Sequence, residues 1–102
     1  MKTAFSIDLY LREIPEFCQR HSIRKLSLFG SVLREDFNDS SDIDVLVEFE
    51  AGKTPGLAII KIEDELSKMI ERQVDLRTPA DLSHYFRSSV LAEVRTIYEQ
   101  NR

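Results

Sequence analysis

Two aspartates separated by one residue open the most strand-like run of the chain, Asp42-Ile43-Asp44-Val45-Leu46-Val47-Glu48-Phe49. Side chains in a strand alternate faces, so Asp42 and Asp44 point one way while Ile43, Val45, Val47 and Phe49 point the other. The chain must therefore build a sheet with one face covered by apolar packing and one face open to polar chemistry. Neighbouring carboxylates repel unless something positive lies between them. The usual hard-oxygen partner is Mg²⁺, held by one or two carboxylates together with substrate phosphates. Upstream, Leu26, Leu28 and Phe29 form an earlier apolar run that ends at Gly30, where the backbone is free to turn. Ser31 is placed to cap a short helix from Val32 to Glu35. A strand that stops at Gly-Ser and opens a helix aims backbone N–H groups and a hydroxyl at one point, which suits a phosphate. The stretch Asn38-Asp39-Ser40-Ser41 has turn chemistry and leads into the Asp strand.

The remaining segments predict what packs around these strands. Ile7, Tyr10, Leu11 and Ile14 recur with helical spacing until Pro15 forces a kink or a fresh start. Glu16 to Arg20 continue helically, with Phe17 and Cys18 inward. The single Cys18 excludes an internal disulfide and a multi-Cys zinc site, and a small buried hydrophobe is a simpler role for it than a reactive thiol. His21 and His84 have no Cys or His at ligand spacing, which leaves them surface or capping roles. Lys25 to Phe29 is the first strand. Past the Asp strand, Thr54-Pro55 reads as an N-cap followed by a first helical proline. Ile59, Ile62, Leu66, Met69 and Ile70 then give that helix an apolar face, with the Asp64–Lys68 pair on its solvated side. Gln73 to Arg77 alternates as a short strand, Val74 and Leu76 on one face and Asp75 and Arg77 on the other. Thr78-Pro79-Ala80-Asp81 has the pattern of a capping box. Beyond it, Leu82, Phe86, Val90, Val94 and Ile97 predict a long C-terminal helix to about Glu99, with Tyr85 and Tyr98 as core or rim residues.

Three or so strands with helices packed on one face make an α+β domain, with a functional cleft on the opposite face of the sheet. At 102 residues, with no linker or repeat, 1–102 is expected to be one domain. Fourteen basic against eighteen acidic residues give a net charge of −4, which argues against a DNA-binding regulator but not against a nucleotide whose charge a metal neutralises. No apolar run approaches a membrane span, so the expectation is a cytoplasmic protein without membrane contact.

Gly30-Ser31, ten intervening residues, then Asp42-Ile43-Asp44 and apolar Val45-Leu46-Val47 resemble the signature of polymerase-β-type nucleotidyltransferases. The fuller strings Phe29-Gly30-Ser31-Val32-Leu33-Arg34 and Ser41-Asp42-Ile43-Asp44 are similar to the minimal nucleotidyltransferases, short prokaryotic proteins often encoded beside a helical HEPN-domain toxin as its antitoxin. The signature covers about a sixth of the chain. The resemblance implies a polymerase-β-like palm with a small mixed sheet. It also implies ATP as nucleotide donor, Mg²⁺ as cofactor, and a protein hydroxyl, a Tyr of a HEPN toxin, as acceptor of AMP. Asp42 and Asp44 would hold two ions about 3.5–4 Å apart, and Gly30 and Ser31 would bind phosphates. Arg34 matches a basic position of the family motif and would support the phosphates, Arg77 less so. The family's third carboxylate falls on Asp75, which would complete the metal site and help deprotonate the acceptor. Two other readings stand beside this one. A catalytically inactive module could neutralise a partner by occlusion, though it would not need the carboxylates. A small-molecule nucleotidyltransferase normally needs further domain structure, unless a homo- or hetero-oligomer builds its pocket between subunits.

Overall fold

The computed structural model describes residues 6–34, 38 and 40–100. Four strands, β1 (Ile23–Phe29), β2 (Ile43–Phe49), β3 (Val74–Arg77) and β4 (Arg95–Glu99), form one sheet in the order β3-β2-β1-β4. β1 runs antiparallel to β2 and β4, whereas β2 and β3 are parallel. Parallel neighbours need a crossover, and α2 (Ile59–Ile70) provides it. α1 (Ile14–Arg20) follows a separate 3₁₀ turn at Ile7–Tyr10 and carries Pro15 in its first turn, where a missing N–H breaks no helical bond. The chain thus makes the fresh start that Pro15 predicts, but the helix expected from about Ser6 to Ile14 is reduced to that 3₁₀ turn.

The apolar alternation of β2 becomes the core. Ile43, Val45 and Val47 are buried with Ile23, Leu26 and Leu28 of β1 and Val74 and Leu76 of β3. Ile14, Phe17 and Cys18 of α1 and Ile62, Leu66 and Ile70 of α2 complete the cluster. Ile23 and Leu26 are three residues apart, which would place them on opposite faces of a regular strand. A bulge between Ile23 and Lys25 re-phases β1 so that both face inward. Cys18 has no exposed surface, and burial pushes its thiol up to about 12, which fits the hydrophobe and not the nucleophile.

The polar side of α2 divides into two. Asp64 and Lys68 pair in solvent at 3.0 Å, as their spacing predicts. Glu63 and Ser67 instead serve the sheet edge. Leu76 N–H donates to Glu63 Oε2 (2.8 Å) and Val74 N–H donates to Ser67 Oγ (3.0 Å). The outward N–H groups of the edge strand β3 are thereby satisfied. His21 binds Glu65 of the same helix at 3.0 Å and packs edge-on against Phe17, a structural role.

Several local expectations need correction. The turn after β1 is a 3₁₀ helix over Gly30–Leu33 with Phe29 at its cap position, so Ser31 lies inside the turn and does not cap it. Glu35 and Asp39, part of the predicted helix and loop, lie outside the described residues. α2 begins at Ile59, not Pro55, because Gly56 has a left-handed φ of +63° and confines the preceding residues to a 3₁₀ turn, Gly56–Ala58. The predicted C-terminal helix is overturned. Thr78 N–H does donate to Asp81 Oδ2 at 3.0 Å, but the element it opens is a three-residue 3₁₀ turn, Pro79–Asp81. α3 covers only Arg87–Ala92, and Arg95–Glu99 forms β4. The edge of β1 offers ladder partners, and Thr96, Ile97 and Tyr98 are good strand formers, so sheet pairing outcompetes the helical spacing. Tyr98 packs against the core, whereas Tyr85 is 87% exposed and belongs to neither core nor rim. Among the described residues no helix is long and apolar enough to cross a membrane.

Candidate active site

The register of the sheet assembles the site. Phe29 pairs with Asp44 across β1 and β2, and Asp44 pairs with Asp75 across β2 and β3. Asp75 comes from more than thirty residues downstream, yet the parallel crossover lays it beside Asp44 on the same face. Asp42 lies just ahead of β2, exposed, and its charge reaches Asp44. Gly30 begins the turn at the end of β1. The structure thus brings Gly30, Asp42, Asp44 and Asp75 together.

Gly30 meets two demands at once. Its φ of +74° is a left-handed conformation that other residues adopt at a cost. The Asp44 side chain also lies directly against its Cα: a Cβ built on Gly30 would overlap Asp44 Oδ2 and stand 3.2 Å from Asp44 Cγ. The glycine is therefore the seat of the carboxylate as well as the hinge of the turn.

Burial pushes the Asp44 carboxyl above the ordinary carboxylate range, and the charge of Asp75 adds to the rise. Arg77 pulls the other way, Asp42 raises it further, and Arg34 also lowers it. Arg77 grips Asp75 with both arms of its guanidinium, Nε to Oδ1 at 3.1 Å and Nη2 to Oδ2 at 3.2 Å. Among the described residues no three His, Cys, Asp or Glu side chains stand close enough to hold a metal ion between them. The donor set nevertheless fits Mg²⁺, which takes one or two carboxylates and fills its octahedron with water and substrate phosphates. A half-buried carboxylate with two acidic neighbours favours a divalent cation.

Ser31 is half-exposed inside the one-turn helix, and Arg34 N–H closes that turn on Ser31 C=O at 2.9 Å. So short a helix has little dipole, and any phosphate contact here would come from individual N–H groups and the Ser31 hydroxyl. A cavity of about 420 Å³ opens beside Gly30, lined by Phe29, Leu33 and Arg34 and by Ser89, Val90 and Glu93 around α3. Its volume falls in the range of small-molecule sites, about 300–1,000 Å³.

One contributor is not legible in the sequence. Arg72, just past α2, donates through Nη2 to Asn38 C=O (3.1 Å) and Ser41 C=O (2.9 Å), fastening the turn that leads into Asp42. Ser41 N–H to Asn38 C=O (3.0 Å) and Ser40 N–H to Asn38 Oδ1 (2.8 Å) complete that turn. No motif spacing could reveal a bond between residues 31 and 34 positions apart.

A mixed sheet that sets an Asp-x-Asp strand beside a Gly-Ser turn is the architecture of a nucleotide-transferring palm. The model of the family described as polymerase beta, nucleotidyltransferase, matches residues 12–102. The protein adenylyltransferase MntA of Thermococcus cleftensis is 34% identical over 80 residues, 78% of this chain and 79% of that protein. A candidate protein adenylyltransferase of Methanocaldococcus jannaschii is 32% identical over 88 residues, 86% of this chain and 94% of that protein. A solved candidate minimal nucleotidyltransferase superposes with a TM-score of 0.72 at 30% identity, covering 86% of this chain and 89% of the other. The MNT antitoxin complex with a tri-AMPylated Shewanella oneidensis HEPN toxin shares the fold, with a TM-score of 0.67 at 20% identity over 93% of this chain and 74% of that one. The chain belongs to the polymerase beta nucleotidyltransferase family and is an enzyme of the nucleotidyltransferase class.

Proposed function

We propose that residues 1–102 act as one Mg²⁺-dependent protein adenylyltransferase domain, moving AMP from ATP to a tyrosine hydroxyl of a HEPN-type toxin and so serving as its antitoxin. The observation that carries this reading is the seating of Asp44 against Gly30, with Asp42 and Asp75 beside it. That arrangement sets a candidate phosphate turn directly against the Asp44 carboxylate. The identity to protein adenylyltransferases supports a protein acceptor. The toxin as partner rests on the shared fold.

In this reading Gly30 and Ser31 take the β- and γ-phosphates through backbone N–H and hydroxyl, and Arg34 adds charge at the same end. Asp42 and Asp44 would hold Mg²⁺, two ions as the family resemblance implies, and Asp75 would complete the set. When bound, Mg²⁺ supplies charge neutralisation on the phosphates and lowers the cost of ionising the acceptor. Asp75 assists removal of the acceptor proton. The acceptor oxygen then forms a bond to the α-phosphorus as the bond to the bridging oxygen breaks, and pyrophosphate carries away the electron pair. Catalysis comes from positioning and charge.

The test is intact mass spectrometry of a HEPN-type toxin encoded beside this chain, incubated with the protein, ATP and Mg²⁺. Wild type should add one or more AMP units, and Asp42→Asn and Asp44→Asn should add none. Neutralisation by tight binding without any mass gain, equal in wild type and both variants, would replace the enzyme with an occluding module.

A further inference from the structure

Arg77 occupies an unusual position for a basic residue. It closes β3 two residues after Asp75, so both side chains leave the same face of the strand. Its guanidinium holds both oxygens of Asp75 in a fork-to-fork pair, the most directional form of ion pairing. The same cation is near enough to Asp44 to offset part of the repulsion it receives from Asp75, and Asp81 also lies within its field. A single arginine is thus paired with one carboxylate of the candidate site and acts electrostatically on a second. Arg34 also acts on Asp44, but more weakly.

We propose that Arg77 is a counter-cation built into the site, competing with a divalent metal for Asp75 so that metal without nucleotide is held weakly. This rests on the reading of Asp42, Asp44 and Asp75 as the metal carboxylates. A bare ion must displace a bidentate guanidinium to reach Asp75, and it brings no anion to replace the carboxylate that Arg77 loses. An ion arriving with a nucleotide brings phosphate oxygens that a guanidinium binds as well as it binds a carboxylate. The competition therefore selects the metal–nucleotide complex over the metal alone.

The experiment measures Mn²⁺ binding without nucleotide, by electron paramagnetic resonance of the free ion. Wild type is compared with Arg77→Gln, Arg34→Gln, Asp75→Asn, Asp44→Asn and the Arg77→Gln/Asp75→Asn double variant. Arg77 is on the surface, and thermal melts verify that each variant is folded. A partly exposed bidentate pair is worth enough to change affinity about two- to fivefold. Arg77→Gln is expected to bind Mn²⁺ tighter by that factor, and Arg34→Gln by less. In the Asp75→Asn background the Arg77 substitution should gain less than it does in wild type, because the paired carboxylate is gone and only its charge near Asp44 remains. An Arg77→Gln affinity equal to or weaker than wild type, with Asp44-dependent binding intact, overturns the proposal. A gain just as large in the Asp75→Asn background also overturns it, since general charge and not competition for Asp75 would then be the whole cause. If no variant shows binding that depends on Asp44, the metal reading itself fails, and Arg77 as competitor with it.

Discussion

Replacing Gly30 with alanine tests the site at its narrowest point. The substitution incurs two separable costs. A left-handed φ of +74° costs an alanine about 1–2 kcal/mol, equivalent to a melting-temperature drop of about 4–16 °C in a chain of this size. The added Cβ also collides with Asp44 Oδ2, so the carboxylate must retreat by about 1 Å to reach ordinary contact distance. A displacement of that size in a positioning group costs about 100-fold in rate. Gly52 supplies the control: its φ is +76°, but nothing lies within 4 Å of where its Cβ would stand. Gly52→Ala should share the thermal penalty and keep its AMP-transfer rate, whereas Gly30→Ala should lose about 100-fold in turnover beyond any loss of folded protein. Transfer rates at saturating ATP and melting curves on both variants decide it. If Gly30→Ala transfers AMP as fast as Gly52→Ala, the contact with Asp44 is not what positions the carboxylate.

Arg72→Ala removes two bonds to the turn before Asp42 and should cost about 1–2 kcal/mol of stability; turnover should fall further than in Arg72→Lys, which keeps one donor there. Asp44 has a raised folded pKa, so the native state binds more protons than the unfolded chain between the ordinary carboxylate value and the shifted one, and stability falls as pH rises through that window. Asp44→Asn should therefore melt higher than wild type at neutral pH, with the gap closing in acid. Glu65 behaves oppositely: burial raises its pKa, but hydrogen bonds from Arg20 and His21 outweigh that and lower it. Glu65→Gln should thus be less stable than wild type at neutral pH, the difference vanishing as pH falls through the folded pKa. Cys18 should resist a thiol reagent in the native state and react only at the unfolding rate, which a denaturant series would reveal.

What could be read along the chain was whatever depended on neighbours in sequence. The alternation of β2, the apolar stripe of α2, the break at Pro15, the short strand through Asp75 and the Gly-Ser to Asp-x-Asp spacing are local patterns, and backbone geometry alone assigns their faces. The family followed from those residues for the same reason. The C-terminal region misled because Leu82, Phe86, Val90, Val94 and Ile97 repeat like a helix, while the strand in Arg95–Glu99 exists only because β1 presents an edge for it. Likewise, nothing local distinguishes Glu63 and Ser67 from the solvated Asp64 and Lys68 on the same helix. The two differ because β3 lies beneath one pair.

The amino-acid order by itself determined which side chains share a face, where turns must fall and which carboxylates are available. Tertiary structure decided which of those groups meet: Asp75 beside Asp44 through the parallel crossover, Arg77 closed on Asp75, Arg72 on the Asp42 turn, and Asp44 seated on Gly30. The reason is physical. Periodicity is set by bond geometry within a few residues, whereas contacts between distant strands depend on how the whole apolar surface is buried at once.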